Sequence, residues 1–148
     1  MIRKFIIAYV FLLCSLYGFT QSNVTPESIL KSIKEIDSFR AISGDKFFEV
    51  TYEVWFNQYI DHDNPERGTF KQKVIFSHKS FERPMVVELE GYALWSTSPS
   101  ELTHLLKSNQ LIIEHRFFDQ SRPADSIPWK TLTVKNAATD QHRIINAF

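Results

Sequence analysis

The fold of this chain is decided by residues 85–113, MVVELEGYALWSTSPSELTHLLKSNQLII. Two apolar runs, 85–89 and 111–113, have the length and composition of strands that are buried on both faces of a sheet. Between them, Ser98-Pro99-Ser100-Glu101 has the form of a capping box with proline at the first helical position. The stretch therefore predicts two parallel strands joined by a right-handed crossover through a helix, which ends near Asn109 and whose apolar side carries Leu102, Leu105 and Leu106.

The sequence before this stretch predicts a helix followed by an antiparallel hairpin. Thr25-Pro26 has the pattern of an N-cap followed by proline at the first helical position. Large apolar residues occupy every second position from 48 to 56, and strand character resumes from 70 to 78 after the turn-forming residues 61–68. The helix is expected to end near Ser43-Gly44, because apolar residues recur at helical spacing up to that point: Ile29, Leu30, Ile33, Ile36 and Phe39.

The sequence after this stretch predicts one more helix beyond Thr133, and the chain stops inside it. In chain order the elements are a helix, an antiparallel hairpin, and then strand, helix, strand, helix. The predicted fold class is therefore α/β with a mixed sheet. An open parallel sheet normally continues after its last helix, so we expect an incomplete sheet. Three apolar residues of the last helix are then expected to lack cover: Ile144, Ile145 and Phe148. The strand edge at 111–113 is expected to be uncovered as well.

The composition excludes several classes of function. The chain carries 17 basic and 17 acidic side chains, and this balance argues against nucleic-acid binding, which needs an excess of Lys and Arg. Its 4 glycines are far apart in the sequence, so neither a Walker loop nor a GxGxxG dinucleotide turn can form. No cofactor is therefore predicted.

Residues 1–20 have the features of a secretory signal peptide. Arg3-Lys4 is followed by an apolar run from 5 to 17, and cleavage is expected just before Gln21. The run is shorter than the roughly 20 residues that span a bilayer, so no stable membrane anchor is expected after cleavage. Cleavage would also remove Cys14, the single cysteine, and with it any disulfide, thiolate catalysis or cysteine-ligated zinc. We predict an exported protein of a bacterial periplasm or exterior.

Candidate functional residues follow both apolar runs, at the strand ends where α/β folds place ligands. Glu114-His115-Arg116 either forms an ion-paired network that pins the following loop or takes part in catalysis. Gly91-Tyr92 could supply backbone amides to a developing oxyanion. Asp61-His62-Asp63 is interpreted as a turn rather than a metal site, because adjacent side chains point to opposite faces. No serine lies in a GxSxG elbow, so no nucleophile is assigned.

Two blocks of sequence resemble a known family. The first comprises 52–65 (YEVWFNQYIDHDNP), 68–74 (GTFKQKV) and 83–87 (RPMVV). The second comprises 113–123 (IEHRFFDQSRP), 129–134 (WKTLTV) and 137–140 (AATD). Together they resemble the amino-terminal part of secreted bacterial tripeptidyl aminopeptidase-type serine peptidases and, more loosely, the prolyl carboxypeptidase and dipeptidyl peptidase group.

The resemblance implies an α/β-hydrolase fold and a serine acyl-enzyme mechanism that releases short peptides from substrates with free N-termini. On this basis Gly91-Tyr92 would open the oxyanion loop, and Glu114, His115 and Arg116 would support the site. The helix from Val134 would immediately precede the strand that leads to the nucleophile. Because the triad of α/β hydrolases runs Ser, Asp, His along the chain, all three residues would lie beyond Phe148, and the chain alone is expected to be inactive.

The expected organisation is a signal peptide at 1–20, a helix and connection at 21–44, and the amino-terminal portion of a peptidase domain at 45–148. Two alternatives stay open. One is a non-enzymatic exported module that binds a ligand through the cluster at 114–116. The other is a metal-dependent hydrolase that uses His62 and its neighbours.

Overall fold

The computed structural model of the protein describes residues 24–148, so the predicted signal peptide lies outside the described residues. Within them the chain forms α-helices, β-strands and two short 3-10 turns at Pro65–Arg67 and Trp129–Thr131. The elements in chain order are α1 Pro26–Ser32, β1 Ile36–Ile42, β2 Val50–Tyr59, β3 Thr69–His78, β4 Met85–Leu89, α2 Glu101–Leu106, β5 Asn109–Ile113 and α3 Val134–Ala147.

The strands form one mixed sheet in the order β1-β2-β3-β5-β4. Strand β2 pairs antiparallel with both β1 and β3, β5 runs antiparallel to β3, and β4 runs parallel to β5. The predicted hairpin and the predicted parallel pair are both confirmed. Strand β5 lies inside the sheet and all its residues are buried, so the expectation of an uncovered edge at 111–113 is wrong. Strand β4 lies at an edge with Leu89 half exposed, so its predicted burial on both faces is also wrong.

The first helix is much shorter than predicted. Thr25 caps it as expected, accepting a hydrogen bond from the Ser28 amide, but the helix ends at Ser32 and residues 36–42 form β1. The register of β1 shifts between Ile36 and Ser38, so Ile36 and Phe39 both pack against the same core although they lie three residues apart. This bulge gives a strand the three-residue apolar spacing that is typical of a helix.

The hydrophobic core lies on one face of the sheet, beneath α1 and α3. Its buried residues are Leu30, Tyr52, Val54, Phe56, Val74, Phe76, Leu111, Ile113 and Ile144. Helix α3 therefore closes this face with Ile144, and Phe148 packs against the same core. The expectation that these two side chains lack cover is wrong, whereas Ile145 on the same helix is indeed 43% exposed.

Helix α2 differs from its prediction at both ends and in its packing. Its N-cap is Ser100, whose hydroxyl accepts a hydrogen bond from the Thr103 amide, and its C-cap is Lys107; Asn109 already belongs to β5. The side chains predicted as its apolar side are all exposed, by 44% to 78%: Leu102, Leu105 and Leu106. None of the described helices has the length and apolar character needed to cross a membrane.

Candidate functional site

Glu114 follows the last residue of β5 and joins two loops. Its side chain is fully buried, and its Oε1 accepts a hydrogen bond of 2.9 Å from the Leu94 amide. Its Oε2 accepts from the amide of Ser121 at 3.1 Å and from the hydroxyl of Ser121 at 2.5 Å. One carboxylate thus satisfies three donors, two of them backbone amides in loops that leave β4 and β5. It fixes the position of both loops at the carboxyl ends of the parallel strands.

The candidate oxyanion residues lie in the first of these loops. The carbonyl of Tyr92 accepts a hydrogen bond of 3.1 Å from the His115 amide, and the Tyr92 ring packs edge-on against Phe118. A side-chain carbon at Gly91 would meet nothing within 4 Å, and Gly91 is not in the left-handed region. Its backbone is therefore one that other residues could adopt. The oxyanion role of Gly91-Tyr92 stays a prediction.

Arg116 is fully buried and connects three segments through its guanidinium. Its Nη2 donates to the carbonyls of Tyr59 and Ile60 at 2.8 and 3.0 Å, and its Nη1 donates to the carbonyl of Thr131 at 3.3 Å. The guanidinium also lies over the Phe117 ring, 4.7 Å from the ring centre. A buried arginine with this set of acceptors holds the end of β2 and the 3-10 turn before α3 against the end of β5.

Asp140 brings Arg116 and His62 together. The Nε of Arg116 lies 3.2 Å from Asp140 Oδ2 as an ion pair without an aligned hydrogen bond. Asp140 Oδ1 lies 2.6 Å from His62 Nε2, and the His62 amide donates to Asn136 on the same helix. The buried triad Arg116-Asp140-His62 therefore joins the end of β5, helix α3 and the loop between β2 and β3.

Burial controls the titration of this triad. It raises the pKa of Asp140 to about 7, against the opposing effect of the positive charges of Arg116 and Arg143. Burial also lowers the pKa of His62, and the same two arginines lower it further. Near pH 7 the carboxyl of Asp140 is therefore only partly ionised and the imidazole of His62 is mostly neutral. The guanidinium beside them donates its hydrogen bonds to backbone carbonyls.

A strained turn follows Arg116. Phe117 has φ 68° and Asp119 has φ 38°, both in the left-handed region that large side chains rarely adopt. The Phe117 amide donates to the Ser121 carbonyl at 2.6 Å, and the Phe117 ring is buried against Phe70. Such a conformation costs of order 1–3 kcal/mol and persists where surrounding contacts hold it. The Ser121 contacts to Glu114 are among those contacts.

Among the described residues, a metal-binding cluster and a serine hydrogen-bonded to the His62–Asp140 pair are both absent. Among residues 24–148 no group of three or more His, Cys, Asp or Glu side chains could hold a metal ion. In the same part of the chain no serine hydroxyl forms a hydrogen bond with the His62–Asp140 pair. The pair joins helix α3 to the loop between β2 and β3. Sequence reasoning missed it, and its one signal is that Asn136 and Asp140 lie four residues apart, in line with the apolar Ile144.

Comparisons with known proteins agree with the sequence resemblance. The model of the family PS-10 peptidase S37 matches residues 27–148. A prolyl tri/tetrapeptidyl aminopeptidase of Streptomyces mobaraensis is 41% identical over 107 residues, covering 71% of this chain and 21% of the relative.

Two eukaryotic proteins are more distant. The serine protease vicPb of Bipolaris victoriae is 30% identical over 98 residues, covering 58% of this chain and 18% of its own. The probable serine protease EDA2 of Arabidopsis thaliana is 25% identical over 99 residues, covering 62% and 20%. The chain thus spans about a fifth of the length of the curated relatives it matches. Because the family model covers nearly all the described residues, this chain belongs to the PS-10 peptidase S37 family.

Proposed function

We propose that residues 24–148 form the amino-terminal part of an α/β-hydrolase peptidase domain that removes tripeptides or tetrapeptides from substrates with a free N-terminus. The observation that carries this proposal is the family match over residues 27–148, together with 41% identity to an aminopeptidase. The mixed sheet with a parallel β4–β5 pair supports it, because ligands of such sheets bind outside the carboxyl ends of the parallel strands.

In this proposal the described residues supply support and not the nucleophile. Glu114 and Ser121 hold the loop after β5, and Glu114 also holds the loop after β4 through the Leu94 amide. The loop after β4 contains Gly91 and Tyr92, whose backbone amides would stabilise the oxyanion of the tetrahedral intermediate. The serine, histidine and aspartate of the acyl-enzyme mechanism would come from sequence that follows Phe148.

We also propose that the protein is exported. The support is the basic start at Arg3-Lys4 and the apolar run from 5 to 17, which have the pattern of a cleaved signal peptide. N-terminal sequencing of protein secreted by a bacterial host should give Gln21 as the first residue. A product that stays in the cytoplasm with Met1 as its first residue would contradict it.

A chimaera tests the peptidase proposal. Residues 24–148 would replace the matching segment of the Streptomyces relative, and the product would be assayed with Ala-Ala-Pro p-nitroanilide and with its N-acetylated form. We expect hydrolysis of the free substrate and at least about a hundredfold less of the acetylated one. A chimaera that unfolds cooperatively, and so is folded, but cleaves neither substrate would contradict the proposal.

Two variants of the chimaera distinguish an effect on the position of the loops from an effect on folding. The same chimaera with Glu114→Gln should stay folded and lose activity, because the amide nitrogen of Gln cannot accept the Leu94 and Ser121 donors together. Glu88→Gln, at a half-buried residue of the edge strand β4, is the matched control substitution and should leave the activity unchanged, since no hydrogen bond of its side chain holds either loop in the described part of the chain.

A further inference from the structure

A cleft of about 450 Å³ lies on the face of the sheet opposite the hydrophobic core. Because side chains alternate along a strand, Trp55 and Asn57 point away from the face that carries Tyr52, Val54 and Phe56. The cleft is bounded by this face and by the loop after β5. Its lining residues include Trp55, Asn57, Phe70, Lys71, Gln120 and Arg122.

The charges that line the cleft are both positive. Lys71 extends from β3 with its side chain 56% exposed, and its Nζ lies 2.7 Å from Asp37 Oδ2 at the margin. Arg122 is exposed, and within residues 24–148 it has no ion pair with a carboxylate. No acidic side chain is among the lining residues. The cleft therefore favours an anion, and the guanidinium of Arg122 has donors left for it.

The apolar part of the lining can contact the uncharged part of a ligand that carries the anionic group. The partly exposed indole of Trp55 provides a flat apolar surface, and the Asn57 amide adds a donor and an acceptor beside it. A concave site of this size with a few polar groups beside an aromatic ring is typical of sites for small organic ligands. The matching ligand has a carboxylate next to an apolar side chain.

The position of the cleft also fits a ligand site. Val74 of β3 pairs with Ile113, the last residue of β5, so Lys71 lies beyond the carboxyl end of β5. The carboxyl ends of parallel strands are where α/β sheets bind ligands. Ser121 lies between Gln120 and Arg122 in the loop after β5, and its hydroxyl donates a hydrogen bond to Glu114 at the same edge. The wall of the cleft is thus held by the buried carboxylate rather than being free to move.

We propose that this cleft binds the carboxylate of a short peptide at Arg122 and Lys71, with the neighbouring apolar side chain packed on Trp55. The site goes beyond the proposed aminopeptidase function, which concerns the free N-terminus of a substrate. An aminopeptidase does not hydrolyse N-acetylated probes, so their binding to the cleft can be measured independently of the proposed peptidase activity. Failure of one proposal is therefore distinguishable from failure of the other.

The fluorescence emission of Trp55 reports on binding in the experiment that tests this site. The chain has 3 tryptophans, and the other two are exposed by 86% at Trp95 and 61% at Trp129. A Trp95→Phe/Trp129→Phe variant of the full chain leaves Trp55 as the single indole. It would be titrated with N-acetyl-Ala-Phe as the free acid and as the C-terminal amide. We expect a saturable change in emission with the acid and at least about tenfold weaker binding of the amide, because a charge-assisted pair is lost.

A third probe, N-acetyl-Asp-Phe amide, separates the two sources of a peptide carboxylate. Tighter binding of this amide than of N-acetyl-Ala-Phe amide assigns acidic side chains as ligands as well; equal binding restricts the site to chain termini. Both outcomes support carboxylate recognition. Equal affinity for all three probes, or no saturable response, overturns it.

Variants of one arginine complete the test. Arg122→Glu in the single-tryptophan background should weaken binding of the acid by about tenfold or more, whereas Arg122→Lys should retain most of it. Arg83→Glu is the matched control, since Arg83 is exposed in the turn before β4 at the opposite end of the parallel pair. If the Arg122 and Arg83 variants bind the acid equally well, the proposed site is wrong.

Discussion

Replacement of Arg116 by methionine tests the buried link between β5 and α3. The substitution keeps the length of the side chain and removes its charge and all its donors. It leaves Asp140, which is fully buried, without its guanidinium partner at 3.2 Å. It also leaves the carbonyls of Tyr59, Ile60 and Thr131 without the donors they have in the native protein.

The expected cost is large. Removing one partner of a buried ion pair costs about 3–5 kcal/mol, which is a large share of the roughly 5–15 kcal/mol by which a domain is stable. At pH 8, where Asp140 with a pKa of about 7 is mostly ionised, the urea midpoint of Arg116→Met should fall by at least about 1 M. Unfolding would be followed by far-UV circular dichroism and by tryptophan emission.

Two further variants make the measurement decisive. Arg40→Met also breaks an ion pair, with Glu53 at 2.8 Å, but the Arg40 side chain is 71% exposed, so it should cost less than about 1 kcal/mol. Adding Asp140→Asn to Arg116→Met should recover about 1 kcal/mol or more, because no buried carboxylate is then left unpaired. An Arg116→Met variant no less stable than Arg40→Met would refute the reasoning.

Other substitutions test other parts of the account. In Asp140→Asn the pH dependence should change: the raised pKa of Asp140 favours the folded state below pH 3.8, and this contribution is lost as pH rises to about 7. The free energy of unfolding of the wild type minus that of the variant should therefore fall by up to about 1.4 kcal/mol per pH unit across this range, and a constant difference would contradict it. Glu114→Gln should speed hydrogen exchange of the Leu94 or the Ser121 amide by about tenfold or more, relative to amides within β2, because an NH2 group replaces one of the two acceptor oxygens; unchanged exchange of both amides would show that the carboxylate does not hold the loops. Leu105→Ala, at a side chain 78% exposed, should cost under about 0.5 kcal/mol in urea unfolding, whereas Leu30→Ala in the core should cost about 2–5 kcal/mol, and equal costs would place α2 in a packed layer instead.

Local sequence patterns predicted most of the sheet because each strand carries its own signal. The alternation at 48–56 and the turn-forming residues at 61–68 defined the β2–β3 hairpin, whose strands pair over their whole length. Strand β4 was predicted at its observed bounds. The failure at β1 has a local cause, since the bulge near Asp37 replaces the two-residue spacing of a strand by the three-residue spacing of a helix.

The buried links of the site could be predicted only in part. That Glu114 and Arg116 follow an apolar strand was visible in the sequence, and a buried charge needs partners. The partners of Arg116 were not visible, because the carbonyls of Tyr59 and Ile60 are 57 and 56 residues away in the sequence and Asp140 meets the guanidinium only when α3 packs on the sheet. Helix α2 shows the reverse case: its leucines have the pattern of a packed helix and are exposed in the described residues.

We propose that residues 24–148 support a serine peptidase site without supplying its nucleophile. A fluorophosphonate probe that reacts with activated serines tests this most directly, applied to the purified chain and to the chimaera with the Streptomyces relative. We expect no labelled serine in the chain alone, and in the chimaera one labelled serine within the part from the relative. Stoichiometric labelling of a serine between residues 24 and 148 in either protein would contradict it.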